Sequence, residues 1–137
     1  MISTVEKVLF LKSIDLFSQI PGEDLAAIAL ISSEENRDSG DEIFAEGESG
    51  DALYLVIDGK VRVHKADRVI AELGERECFG EMAILDAAPR SATVTALSTT
   101  NVLKITREDF QEIMGEKPEI AQGIIKVLTR RLRDAIR

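Results

Sequence analysis

Apolar and polar positions follow different periods in successive stretches of the chain, and the change of period divides it. Over the first thirty or so residues Val5, Val8, Leu9, Leu16, Phe17 and Ile20 supply the apolar positions of a helical stretch. Ser3 and Glu6 stand at the spacing of a capping box, in which a hydroxyl and a carboxylate each satisfy the other residue's backbone N–H. Pro21-Gly22 breaks the segment, and Glu23 and Asp24 place negative charge at the start of a second helix running to about Ile31. Residues 1–33 are therefore expected to form N-terminal helices.

From Glu34 to Ile105 the pattern becomes short β-rich runs separated by glycines: Glu42 to Phe44, Leu53 to Ile57, Val61 to Lys65, Val69 to Leu73, Thr93 to Ala96 and Val102 to Ile105. Such spacing predicts an antiparallel sandwich or barrel over residues 34–105. Leu53, Leu55 and Ile57 alternate with Tyr54, Val56 and Asp58, and Asp58-Gly59-Lys60 then leads into Val61-Arg62-Val63-His64. Asp-Gly between alternating runs predicts a hairpin. The period of two sets His64 opposite Val61 and Val63, toward solvent and without chemical duty. Gly40, Gly47, Gly50, Gly59 and Gly74 read as turn residues at positive φ. Helical spacing returns in residues 106–137: Thr106 caps a helix from Arg107 with Asp109 in its first turn, and Pro118 opens a last helix. Ile120, Ile124, Val127, Leu128, Arg131, Leu132 and Ala135 recur along it. Lys126, Arg130, Arg131, Arg133 and Arg137 gather toward its end, either as a solvated face complementing the helix dipole or with one arginine reaching over a ligand.

Composition narrows the chemistry. A chain of 137 residues, 45% of them hydrophobic, suits one domain with an ordinary core. The net charge of −8 weighs against direct nucleic-acid binding, which rests on a basic surface, so an anionic ligand needs a local basic pocket. The longest apolar run, Leu25 to Ile31, falls far short of the roughly 20 residues that span a bilayer. Glu6 and Lys7 interrupt the opening residues, which lack a signal-peptide layout. No membrane insertion and a cytoplasmic location are expected. Cys78 is the single cysteine and reads as a buried structural thiol, which excludes a metal cluster built on thiolates, and with His64 the single histidine there is no multi-histidine metal site of the cupin type. Neither metal, cofactor nor catalytic residue is expected. A second unit such as a helix-turn-helix would need tens of residues beyond Arg137, so the output is expected to lie in an attached or partner effector.

Functional chemistry concentrates in Phe79 to Val94. Glu81 to Leu85 is helix-competent, and the N–H groups opening a helical turn have no internal partner and point toward an anion. Gly80 permits close backbone approach, and Arg90 offers a fork matched to two phosphate oxygens. Glu81 would repel a phosphate and instead needs a donor, for which a ribose hydroxyl is the natural choice. A guanidinium waiting for an anion is not a core contact, so loss of Arg90 is expected to spare the ligand-free fold.

Phe79 to Val94 resembles, without a gap, the phosphate-binding cassette of cyclic-nucleotide-binding domains, such as those of protein kinase A regulatory subunits, the catabolite activator protein and cyclic-nucleotide-gated channels. Gly40 to Phe44, Glu46-Gly47, Gly50 to Tyr54 and Gly59 to Val61 resemble the β-roll glycine signature of that family. The resemblance implies an α+β fold: an antiparallel β-roll (jelly roll) carrying the cassette at 79–94, N-terminal helices, and C-terminal B and C helices as a lid. It implies a cyclic nucleotide ligand bound by Gly80, Glu81, Met82, Ala83, Arg90, Ser91 and Ala92, with Glu81 on the ribose 2′-hydroxyl and Arg90 on the phosphate. Ser91 resembles the residue of the bacterial activator, which leans toward cAMP, while its hydroxyl could also serve a guanine, so cAMP is favoured and cGMP is the alternative. Leu85, Phe110, Ile113, Met114, Leu128 and Leu132 would repack on binding, and Leu85, Arg130, Arg131 and Arg133 are lid candidates. A homodimer through the last helix is a further expectation. The competing reading is a ligand-free structural or interaction module in which Glu81 and Arg90 pair with each other.

Overall fold

The computed structural model describes residues 2–81 and 89–136. In chain order the elements are α1 (Thr4–Lys12), a 3-10 turn (Asp15–Phe17), α2 (Gly22–Ile31), β1 (Ser33–Arg37), β2 (Glu42–Phe44), β3 (Ala52–Asp58), β4 (Val61–Lys65), β5 (Arg68–Leu73), β6 (Cys78–Phe79), β7 (Thr93–Ala96), β8 (Thr100–Thr106), α3 (Arg107–Glu116) and α4 (Pro118–Ile136). They form two compact units, Ser32–Glu108 and the two chain ends Met1–Ile31 with Asp109–Arg137.

The β unit holds two four-stranded antiparallel sheets among the described residues, ordered β1-β8-β3-β6 and β2-β7-β4-β5. Ala52, Tyr54, Val56, Val61, Phe79, Val94 and Val102 form one buried cluster, with Ile43, Phe44, Val63 and Leu73 packed against it. Leu53 and Leu55, on the alternate face of β3, are also fully buried, so both faces of this strand are covered.

The hairpin expected at Asp58-Gly59-Lys60 does not form, because β3 pairs with β6 and β8 whereas β4 pairs with β5 and β7. The turn is instead a corner between the sheets. It runs beside the corner joining β7 to β8: Leu97 N–H and Thr100 Oγ1 both donate to Lys60 O, at 2.8 and 3.2 Å. Gly59 sits at φ +101°, and a Cβ there would come within 2.7 Å of Thr100 Cα, so the crossing needs glycine for space as well as conformation. The hairpin lies one strand later, where β4 and β5 pair from Val61↔Leu73 to Lys65↔Arg68. Its tip puts Ala66 at φ 51°, and Arg76 takes φ 68°, whereas Gly74 stays out of the left-handed region.

Two side chains differ from expectation. His64 is half-buried, with Nε2 2.9 Å from Thr95 Oγ1 and Nδ1 3.1 Å from Ala66 O. A carbonyl only accepts, so Nδ1 carries the proton in that contact. Cys78 is half-exposed rather than buried, being one residue of the short edge strand β6.

In the helical unit Ser3 caps α1 through the expected box: Glu6 N–H donates to Ser3 Oγ and Ser3 N–H to Glu6 Oε1, both at 3.1 Å. The apolar positions of α1 are partly reassigned, since Val5 is 69% and Leu9 63% exposed while Leu11 and Ile14 are buried. The chain leaves the helix at Ser13, and the core is filled from its last turn and the following 3-10 turn, where Leu16 and Phe17 are buried. Phe17 stacks on Phe110 of α3 at 6.2 Å between centroids. Along α4 the buried residues are Ile120, Gly123, Ile124 and Val127; Leu128 and Leu132 are exposed instead. Ile113 is buried and Met114 half-buried. Arg131 pairs with Asp15 at 3.0 Å, and Arg130 holds the other oxygen of the same carboxylate. No helix among the described residues is long and apolar enough to cross a membrane.

Candidate functional site

Two backbone bonds set the segment that carries Arg90. Gly47 N–H donates to Arg90 O at 2.8 Å and Arg90 N–H donates to Glu48 O at 2.7 Å, so the loop between β2 and β3 grips residue 90 from both sides. A bridge between Ser49 and Pro89 and a bond from Glu46 N–H to Thr93 Oγ1 at 3.0 Å extend this pairing. The loop that looks like connection in the sequence is the mount of the site.

The Arg90 side chain turns inward and is only 8% exposed. Its Nη2 donates to Ala52 O at 2.8 Å, Nη1 lies 3.4 Å from Gly80 O, and Cζ stands 3.9 Å from the centroid of the Phe44 ring. Among the described residues its Nε has no hydrogen-bond partner, and no carboxylate lies within ion-pair distance. Burial pulls its pKa below the ordinary arginine value, while Tyr54, Asp51 and Glu48 favour the charged form. An arginine so shifted is still a cation in water near neutrality. The arrangement is a desolvated positive charge with donor capacity to spare, which is what an entering anion needs.

The expectation that Arg90 makes no core contact is corrected here. Its guanidinium covers an aromatic cluster in which Tyr54 stacks on Phe79 at 5.1 Å and Phe44 lies 6.0 and 5.9 Å from those two rings. Tyr54 and Phe79 meet because β3 and β6 are paired at that register.

Gly80 sits directly under the guanidinium at φ +76°. A Cβ there would fall 2.6 Å from Arg90 Nη1 and 2.9 Å from Ala52 O, so only glycine leaves room for the arginine in this pose. Glu81 is half-buried and makes no ion pair with Arg90. Ser91 is exposed and Ala92 buried. Met82, Ala83 and Leu85 lie outside the described residues, as does the rest of the helix expected from Glu81. Of the lid candidates, Arg130 and Arg131 are engaged with Asp15, and Arg133 is exposed. Phe44 and the carbonyl of Ala52 were not among the expected site residues; no local pattern marks either, since both reach Arg90 only through sheet pairing and the β2–β3 loop. Among the described residues no group of histidine, cysteine or acidic side chains could hold a metal ion.

Comparison with known proteins bears on this geometry. The sequence model of the cyclic nucleotide-binding domain matches residues 34–117, more than half of the chain. The chain is 42% identical over 101 residues to the cyclic AMP receptor protein of Thermus thermophilus, covering 70% of this chain and 47% of that protein. It is 33% identical over 115 residues to the cAMP-dependent protein kinase regulatory subunit of Debaryomyces hansenii, covering 83% of this chain and 25% of that protein. The crystal structure of the N-terminal domain of a transcriptional regulator from Streptomyces coelicolor A3(2) superposes with a TM-score of 0.84 at 34% identity, covering 92% of each chain. The chain thus spans less than half the length of these two curated relatives, one named a receptor protein and the other a regulatory subunit.

Proposed function

The chain belongs to the cyclic nucleotide-binding domain family, and from that premise we propose that it is a sensor module that takes cAMP at Arg90 and passes the event to an effector. The observation that carries the proposal is the buried Arg90 guanidinium, held by carbonyls and an aromatic face and left without a carboxylate among the described residues. A cyclic phosphate supplies the missing negative charge and accepts from the unused N–H groups. Glu81 takes the ribose 2′-hydroxyl, Gly80, Met82, Ala83, Ser91 and Ala92 line the ligand, and Leu85 moves with it. Two relatives named for cAMP support this nucleotide over cGMP.

The chain itself performs no reaction in this reading. Its output is a shift of the C-terminal helices, read by an attached domain or a protein partner in the cytoplasm, with a second copy joined through α4 as one form of that partner. Arg130 and Arg131 act as lid residues only after leaving Asp15. Calorimetric titration with cAMP and cGMP tests the binding step. Saturable heat at one site per chain, stronger for cAMP, is expected; no heat with either nucleotide returns the chain to a ligand-free structural module.

A further inference from the structure

An arginine that must wait for an anion faces a conflict. Left in water it samples many rotamers, and paired with a carboxylate it has to be pulled free before it can bind. The β unit resolves this with a ring. Phe44 places its face 3.9 Å from Arg90 Cζ, attracting the cation through the ring quadrupole without neutralising it or occupying its N–H groups. The ring is itself immobilised, by Tyr54 and Phe79 at 6.0 and 5.9 Å and by the register that sets Phe44 opposite Val94. Ala52 O at 2.8 Å then fixes rotation of the guanidinium about its stem.

We propose that Phe44 is a positioning residue for the anion site: its ring holds the Arg90 guanidinium in the plane that receives the phosphate and keeps it charged until the ligand arrives. The proposal rests on the reading that Arg90 takes the cyclic phosphate, but the pose itself can be read without ligand.

The test begins with the ligand-free protein, where the Arg90 Nε–Hε NMR resonance should lie upfield of exposed arginines because of the Phe44 ring current. Phe44→Leu should return that resonance to the ordinary position and weaken cAMP binding by about two- to thirtyfold, the range of one cation–π contact. Phe44→Tyr keeps a ring face and should retain both the shift and the affinity within about twofold. In an Arg90→Ala background Phe44→Leu should cost no further affinity, whereas a role confined to packing would cost the same in both backgrounds. Should Phe44→Leu fail to fold, Phe44→Met takes its place as a flexible apolar filler. An Arg90 resonance without ring shift in the wild type overturns the proposal, and so does unchanged affinity in Phe44→Leu. A wild type that shows the shift and binds no cyclic nucleotide overturns the functional reading and leaves the platform standing.

Discussion

At the scale of single residues, the proposed anion site turns on the desolvation of Arg90. Removing a guanidinium from water is costly unless something replaces its hydration, and here Ala52 O and the Phe44 ring do so only in part. In the proposed role the remainder is recovered when an anion enters. Truncating one partner of a desolvated pair costs on the order of 3–5 kcal/mol, so Arg90→Ala is expected to weaken cAMP by roughly a hundredfold to a few thousandfold. Arg90→Lys should recover part of this, since it keeps the charge and loses the fork. The ligand-free melting temperature should also fall in Arg90→Ala, because Ala52 O loses its 2.8 Å donor in a buried place, a loss worth about 1–3 kcal/mol. Titration and thermal melts of both variants check the pair of effects; full stability with full affinity would remove Arg90 from the site. Glu81 gives a more selective prediction. Glu81→Ala should weaken cAMP by about tenfold or more, the worth of a hydrogen bond to a charged group, and spare the 2′-deoxy analogue. Equal weakening of both ligands would mean that Glu81 does not meet the ribose.

At the scale of elements, the helical unit has its own tie. Asp15, on the turn after α1, holds Arg130 and Arg131 of α4. The hydrogen bond from Arg131, helped by Arg130 and opposed by burial, keeps the Asp15 carboxyl below its ordinary value of 3.8. A depressed carboxylate stabilises the fold above the unfolded pKa and loses that contribution as pH falls through it toward the lower folded value. The group is more exposed than buried, so the contribution is that of a surface pair, at most about 1 kcal/mol. Asp15→Asn should therefore lower the melting temperature by a few degrees near pH 7, with a gap that closes below about pH 3.8 and narrows in high salt. A gap that persists in acid would point to packing rather than charge. Most elements were legible because their residues repeat with the period of the structure they form, as in the capping box of α1 and the runs of β3, β4 and β7. Strand β1 was not: Ser33-Glu34-Glu35-Asn36-Arg37 carries no apolar alternation, and it is a strand because its backbone pairs with β8 at a sheet edge. Gly59 shows the same limit from the other side. Local chemistry specified a turn, while the choice between hairpin and sheet-to-sheet corner belongs to distant pairing. Arg90 stood out by residue type as a candidate for an anion, the role proposed for it here, and Phe44 beneath it did not stand out, since the two are brought together by the β2–β3 loop.

At the scale of the whole molecule, the question is whether binding in one compact unit is felt in the other. The residues of the candidate site described here, from Phe44 to Ala92, belong to the unit Ser32–Glu108, whereas the proposed output helix α4 lies in the unit built from the chain ends. A ligand shifts an equilibrium only by the difference in its affinity for the two states, so a signal that reaches α4 requires α4 to respond thermodynamically to cAMP. Ligand at a hundredfold excess over its Kd stabilises the state that binds it by about 2.7 kcal/mol. If the two units unfold as one cooperative system, the whole transition moves up by several degrees with no change in its number of steps. Differential scanning calorimetry with and without cAMP reads this directly, and amide hydrogen exchange assigns the protection to Ala121–Arg133 or to the strands. We expect a single transition that shifts upward together with altered exchange along α4. Two transitions, of which only that of the β unit moves, together with unchanged exchange in α4, would show that cAMP is bound without being relayed, and the sensor role would then have to run through the β unit alone.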